Sequence, residues 1–150
     1  GVPGVINRNR DFYADVAGGT VPSHDVLVTN PPYTTKERFL QWLCDHPRPA
    51  AVLLPSYCAS KSYWRAVEDK RSVLFVAPSG SYPYSHPTGK GHDASPFHSS
   101  WFLVNWPAPD AVVRALVGEQ RRRRGRGEAC CAVLRSGADF VRRGLATEKR

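Results

Sequence analysis

The nine residues from Asp25 to Tyr33, DVLVTNPPY, restrict the fold of this chain more than any other stretch. The apolar run Val26–Val28 is mostly β-branched and predicts a short strand buried on both faces. Pro31 and Pro32 end that strand, because proline fixes φ and has no N–H to donate to a sheet. The stretch therefore predicts a stiff loop at the carboxyl end of a buried strand, where open α/β sheets bind ligands.

The loop itself carries groups suited to holding a flat amino compound. The Asn30 side-chain oxygen and a nearby backbone carbonyl are both acceptors, so together they can take both protons of one –NH2 group. Such a nitrogen is a weak nucleophile, and holding it in line with an electrophile supplies much of the catalysis. The Tyr33 ring can stack on a flat substrate. The alternative is a purely structural Pro-Pro turn after a core strand.

The tetrapeptide Asn30-Pro31-Pro32-Tyr33 resembles the signature of the amino-methyltransferases that use S-adenosylmethionine. In that family Asp/Asn/Ser-Pro-Pro-Tyr/Phe ends the fourth strand of a Rossmann-like sheet. The resemblance implies an α/β fold with a mostly parallel sheet and an antiparallel last strand. It also implies that Asn30 and the Pro31 carbonyl bind the target amine, that Tyr33 stacks on the target beside Pro32, and that S-adenosylmethionine is the cofactor.

A second, weaker resemblance lies upstream. The pair Asp11-Phe12 matches an Asp-Phe pair that follows the third strand in the family, and Val2, Val5 and Ile6 suit a short strand before it. There the acidic side chain accepts a hydrogen bond from the cofactor's adenine amine, and the ring packs on the adenine. The resemblance implies that Asp11 and Phe12 bind the cofactor; a chance occurrence of this common pair is the alternative.

The family's glycine-rich cofactor loop and acidic ribose ligand belong far upstream of the Pro-Pro motif. Only residues 1–29 precede Asn30, too few for three strands and two helices. Because the chain also begins with Gly1 and has no Met, we expect the carboxyl-terminal half of a methyltransferase domain in residues 1–120. The expected first strand would lie beside Val26–Thr29. Without it, these residues should form an open sheet edge covered by a second copy or by residues 1–20.

A circularly permuted member of the family would carry its cofactor half after the motif. The tail beyond Arg114 has no glycine loop, which counts against that arrangement. We therefore interpret residues 121–150 as a basic carboxyl-terminal extension.

Helices and strands are predicted to alternate after the motif. Thr34-x-x-Glu37 predicts a capping box at the start of a helix. Pro55-Ser56-Tyr57 closes the next apolar run at a carboxyl end that faces the proposed site, so Tyr57 is expected either to line the site or to lie at its rim. The further predicted elements are strands at Ala50–Leu54, Ser72–Ala77 and Ser100–Asn105 and helices at 60–69 and Pro107–Gln120.

The connection Pro78–Ser99 is long, and loops of this length are uncommon and often functional. The family joins its last two strands here by a hairpin, so an enlarged loop would lie over the substrate. Its rings can stack on bases and Lys90 can contact a phosphate; the rings are Tyr82, Tyr84 and Phe97. The loop also contains His86, His92, His98 and Asp93, whose spacing matches no metal motif and predicts solvated side chains.

Positive charge is concentrated at the carboxyl end. The chain has a formal net charge of +8, and from Arg114 onward it has 11 Lys/Arg against 4 Asp/Glu. The arginine run suits a phosphate-binding patch, with a nuclear import signal or a solvated linker as alternatives; it consists of Arg121, Arg122, Arg123, Arg124 and Arg126. Beyond it, Cys130, Val133 and Leu134 predict a helical face.

Other composition features exclude some classes of protein. The four cysteines form no CxxC pair, so they predict reduced thiols in an intracellular protein, cytoplasmic or nuclear, and no disulfide or zinc framework. No apolar run approaches the roughly 20 residues of a membrane span.

These features favour methyl transfer from S-adenosylmethionine to the exocyclic amine of adenine in RNA or DNA, with nucleic acid as the partner. A protein glutamine amide poses the same geometric problem, so a glutamine methyltransferase is the main enzymatic alternative. A non-catalytic nucleic-acid-binding protein with the same fold is the alternative from another class.

Overall fold

The computed structural model describes residues 4, 6, 8–80, 82, 97–128 and 130–146. Tyr84 and Lys90 lie outside the described residues, as do His86, His92 and Asp93. Within them the strands are β1 (Leu27–Thr29), β2 (Ala50–Pro55), β3 (Val73–Pro78), β4 (Ser99–Val104) and β5 (Cys131–Leu134). The helices are α1 (Phe12–Gly18), α2 (Lys36–Asp45), α3 (Ser62–Glu68), α4 (Pro109–Gly125) and α5 (Gly137–Arg142).

The five strands form one open mixed sheet in the order β1-β2-β4-β3-β5, which confirms the expected α/β class. β1 and β2 are parallel, and β4 lies between β2 and β3, antiparallel to both. The expected mostly parallel pairing is wrong, because β4 separates the strands β2 and β3 and pairs with each of them in the antiparallel direction. The ends of β1, β2 and β3 and the starts of β4 and β5 all lie at one end of the sheet, which we call the carboxyl end.

The position of β1 at a sheet edge, with the other strands on one side of it, is confirmed. Its predicted burial on both faces is wrong. Leu27 packs against the main core, whereas Val28 points to the opposite face and is 65% exposed, as the alternation of side chains along a strand requires. The part of residues 1–20 that the structure describes adds no strand to this edge.

The core lies mainly on one face of the sheet, under α2, α3 and α5. The helix α2 follows the pattern of an amphipathic helix and buries Phe39, Leu40, Leu43 and Cys44. The centre of this core is an aromatic cluster in which Phe75 lies 5.1 Å from Phe102 and 5.6 Å from Trp64, measured between ring centroids. These contacts fix the sheet against the helices that follow β1 and β2.

The carboxyl-terminal third departs most from the sequence prediction. The helix α4 runs through the arginine run to Gly125, so no structural boundary lies at residue 120. The helical face predicted from Cys130, Val133 and Leu134 is wrong, because residues 131–134 form β5 and pair with β3 from Phe75↔Leu134 to Pro78↔Cys131. A short apolar run fits either element, and the open edge of β3 decides between them. No helix of the described residues is long and apolar enough to span a membrane.

Candidate functional site at the carboxyl end of the sheet

The Asn30 loop (Asn30–Tyr33) leaves β1 at the carboxyl end of the sheet. Asn30 is exposed and Pro31 is buried. A 3-10 turn, Tyr33–Thr35, leads into α2, and the Thr35 amide and hydroxyl donate to the Pro32 carbonyl over 3.1 and 3.3 Å. The predicted capping box at Thr34 does not form, because α2 begins after this turn with Thr35 as its N-cap. These hydrogen bonds therefore fix the backbone of the loop, and Asn30 is exposed on it.

Phe97 reaches the Asn30 loop from a distant part of the chain. Its ring lies edge-on to Tyr33, with 5.3 Å between centroids. The start of β4 is fixed there because the Ser56 amide donates to the His98 carbonyl over 2.7 Å. The buried Ser56 and Ser100 hydroxyls are also 2.8 Å apart. Two predicted site residues, Tyr33 and Phe97, are therefore brought together.

Three cation–tyrosine pairs lie on the elements that flank the same loop. The Arg38 guanidinium lies 4.3 Å from the centre of the Tyr13 ring. The ammonium groups of Lys36 and Lys61 lie 5.9 and 5.7 Å from the ring centres of Tyr63 and Tyr57. Of these residues only Tyr57 was predicted to belong to the site. For the others except Tyr13, the signal is the alternation of basic and aromatic residues in YTTKERF and SYCASKSYW.

Cys58 and Tyr63 are in contact beside these pairs. The Tyr63 hydroxyl donates to the Cys58 sulfur over 3.5 Å. Burial raises the pKa of the Cys58 thiol. The hydrogen bond from Tyr63 and the charges of Lys36 and Lys61 act in the opposite direction but are smaller. Burial and the Cys58 contact also raise the pKa of Tyr63. Both groups therefore stay neutral near pH 7, and Cys58 is a poor nucleophile.

Asp11 and Phe12, the predicted cofactor ligands, have structural partners. Asp11 is the N-cap of α1, where its carboxylate accepts from the amides of Tyr13 and Ala14 over 2.8 and 3.0 Å. The Phe12 ring packs edge-on against Trp42, with 5.0 Å between centroids. Capping and packing account for both residues, and their cofactor role stays a prediction.

Tyr82 and the arginine run lie on the far side of the carboxyl end. Tyr82 and Arg123 line a cavity of about 380 Å³ beside Pro78 and Cys131. With β2 and β4 in between, the strand β3 that borders this cavity lies about 14 Å from β1 at the usual strand spacing. Glu119 pairs with Arg122 over 2.9 Å and with Arg123 over 3.1 Å, and Arg126 pairs with Glu128 over 2.6 Å. The other members of the run, Arg121 and Arg124, are exposed.

Among the described residues, no group of three or more His, Cys, Asp or Glu side chains could hold a metal ion. No protein-family model matches the chain, and no curated protein matches it either.

Proposed function

We propose that the Asn30 loop binds and orients the amino group of adenine in RNA or DNA for methylation by S-adenosylmethionine. The observation that carries the proposal is the exposed Asn30 amide on a loop fixed by buried Pro31, at the end of the sheet where α/β folds bind ligands. The antiparallel β4 beside β3 supports it, because the resemblance implies an antiparallel last strand joined by a hairpin.

The chain's own residues would position the substrate. The Asn30 oxygen and the Pro31 carbonyl would accept the two amine protons, which turns the nitrogen lone pair toward the electrophile. The ring of Tyr33, held edge-on by Phe97, would stack on the base. S-adenosylmethionine, when bound, supplies the electrophilic methyl group.

The described residues fit the target amine better than the cofactor. Asp11 and Phe12 are used for capping and packing. We therefore expect this chain alone to bind S-adenosylmethionine more weakly than micromolar in calorimetry. These contacts also favour a second candidate function, in which the fold binds nucleic acid without transferring a methyl group.

The test measures methyl transfer from labelled S-adenosylmethionine to an adenine oligonucleotide, with a glutamine peptide as the competing substrate. Asn30→Ala should lower transfer about a hundredfold, because a well-placed hydrogen-bonding group commonly contributes that much. Asn30→Asp keeps an acceptor and should retain more transfer. Asn9→Ala, at another exposed asparagine, is the control and should change little. Preference for the glutamine peptide would replace adenine by a protein amide as the substrate.

A binding measurement tests the same site without the cofactor. An oligonucleotide with purine in place of adenine lacks the amine, so it should bind about three- to tenfold more weakly, the usual value of one hydrogen bond. Asn30→Ala should abolish this preference. If the unchanged protein shows neither transfer nor a preference for adenine over purine, the proposed function is wrong.

A further inference from the structure

We infer that the three cation–tyrosine pairs around the Asn30 loop form a binding surface for single-stranded nucleic acid. We call this surface the cation–tyrosine rim: Lys36 with Tyr63, Arg38 with Tyr13, and Lys61 with Tyr57. The inference rests on the proposed function, since it assigns the surface that holds the substrate strand while its base reaches Asn30.

Two pairs of the rim contact the Asn30 loop or the turn that follows it. The Lys36 ammonium donates to the Tyr33 carbonyl over 3.0 Å, and the Tyr13 hydroxyl donates to the Thr35 carbonyl, also over 3.0 Å. Tyr57 follows β2, which is the neighbour of β1. A single strand of nucleic acid bound to the rim would therefore pass over the Asn30 loop.

The rings of the rim are held in place before anything binds. Tyr13, Tyr57 and Tyr63 are half-buried, and the hydroxyls of Tyr13 and Tyr63 are fixed by Thr35 and Cys58. A fixed aromatic ring loses little conformational freedom when a base stacks on it. Every base has a π-face, and only an unpaired strand offers that face to a protein, so this surface suits a single strand and not a duplex.

Charge supports the same occupant. Among the described residues, the cations Lys36, Arg38 and Lys61 outnumber the carboxylates beside these pairs, which are Glu37 near Tyr63 and Asp11 at the Tyr13 amide. An excess of cations favours a polyanion. The arginine run is different, because Arg122, Arg123 and Arg126 already pair with glutamates, and Arg123 lines the cavity beside β3 and β5, across β2 and β4 from the loop.

The experiment measures binding of a fluorescently labelled oligoadenylate of about 12 nucleotides, a length within the usual site sizes, by anisotropy over a range of salt concentrations. Lys36→Gln combined with Lys61→Gln should weaken binding at least tenfold. The slope of log affinity against log salt should become shallower by about 1.4, since each phosphate contact to a single strand contributes about 0.7.

The matched control removes two cations at the opposite end of the sheet. Arg48 and Lys70 lie at that end because they precede β2 and β3. Arg48→Gln combined with Lys70→Gln removes two positive charges, as the rim variant does. It should alter affinity less than about twofold if nearby phosphate contacts, and not net charge, carry the binding.

Tyr57→Leu keeps the charges and much of the apolar bulk, so it separates stacking from electrostatics. It should weaken single-strand binding at least fivefold, within the usual value of one base–ring stack, and leave the salt slope unchanged. A matching thermal midpoint shows that each variant is folded.

Three outcomes would overturn the inference: equal losses in the rim variant and the control, a duplex bound as tightly as the single strand, or an acidic peptide bound with the same sensitivity. If the rim is not the binding surface but adenine is still preferred over purine, the proposed role of Asn30 is retained. Strong rim-dependent binding without that preference or methyl transfer would remove the proposed function alone.

Discussion

The two faces of the sheet are packed very differently. Among the described residues, the main face, under α2, α3 and α5, packs into a cluster of 17 buried apolar residues, whereas the second face, under α4, buries only Ala51, Leu74 and Leu103. The helix α4 contributes no buried residue. The helices on the main face are also those that follow the Asn30 loop and the Tyr57 turn. The packing that stabilises the fold therefore also positions the candidate site.

The largest expected effect comes from Phe75→Ala in the centre of the main face. Phe75 is fully buried among Trp64, Phe102 and Phe140. Its truncation should lower the free energy of unfolding by about 3–5 kcal/mol in urea titrations. Trp101→Ala on the second face removes a larger but only half-buried side chain and should cost less. A greater loss of unfolding free energy in Trp101→Ala than in Phe75→Ala would show that the second face contributes more to stability than the main face.

A pair of identical substitutions isolates the surroundings. Leu54 on the main face and Leu74 on the second face are 0% and 2% exposed. Both changes to alanine remove the same atoms, so the difference in unfolding free energy reports how well each site closes over the cavity. We expect about 4 kcal/mol for Leu54→Ala and about 2–3 kcal/mol for Leu74→Ala. Equal losses would show that α4 packs as closely as α2 and α3.

Two glycines should respond with opposite signs. At Gly137 an added Cβ would lie 2.7 Å from the Ala59 carbonyl oxygen and 2.9 Å from the Glu68 carboxylate, so Gly137→Ala should cost about 1–3 kcal/mol. At Gly118, inside α4, an added Cβ meets nothing within 4 Å. Gly118→Ala should therefore stabilise by about 0.5–1 kcal/mol. Thermal unfolding of both variants checks the signs.

The smallest expected effects depend on pH. Burial, and then the charges of His24, Arg71 and Arg48, lower the pKa of His46 below 6.5. Because folding favours neutral His46, its contribution is complete above pH 6.5 and is lost as the pH falls through the lowered value. On the second face the Arg135 pair lowers the pKa of Asp110 below 3.8. Its contribution is present above pH 3.8 and is lost only at lower pH.

Unfolding curves between pH 7.5 and 3 separate the two groups. His46→Gln should flatten the loss of stability below pH 6.5, and Asp110→Asn should act only on the acid end. If Asp110→Asn changed the slope near pH 6, the assignment of that slope to His46 would be wrong.

Regular apolar runs were predictable from the sequence. The strands β2, β3 and β4 lie within a residue of their predicted bounds, because each is a run of apolar residues ended by Pro or a polar residue. The exposure of Val28 was not predictable, since burial on both faces depends on what packs from elsewhere in the chain. The same holds for β5, whose four residues become a strand only through pairing with β3.

The candidate site was predictable only where it is local. Asn30–Tyr33 is one continuous segment, so its loop could be inferred from the prolines. The contact of Tyr33 with Phe97 joins residues far apart in the chain. The pairs Lys36–Tyr63 and Arg38–Tyr13 likewise need the packing of α2 against α3 and α1. Periodicity and composition contain no information about such distances.

The insertion of β4 between β2 and β3 has a consequence for how the molecule reaches its folded state. The partners Ala50 and Val104 are far apart in sequence, so closing that loop costs entropy before any pairing compensates for it. We expect substitutions in β4 to slow refolding and substitutions in β5 mainly to speed unfolding, which stopped-flow fluorescence would measure. During synthesis, β2 and β3 would each keep an unpaired edge until Ser99–Val104 has left the ribosome, and over that interval the chain is most exposed to aggregation.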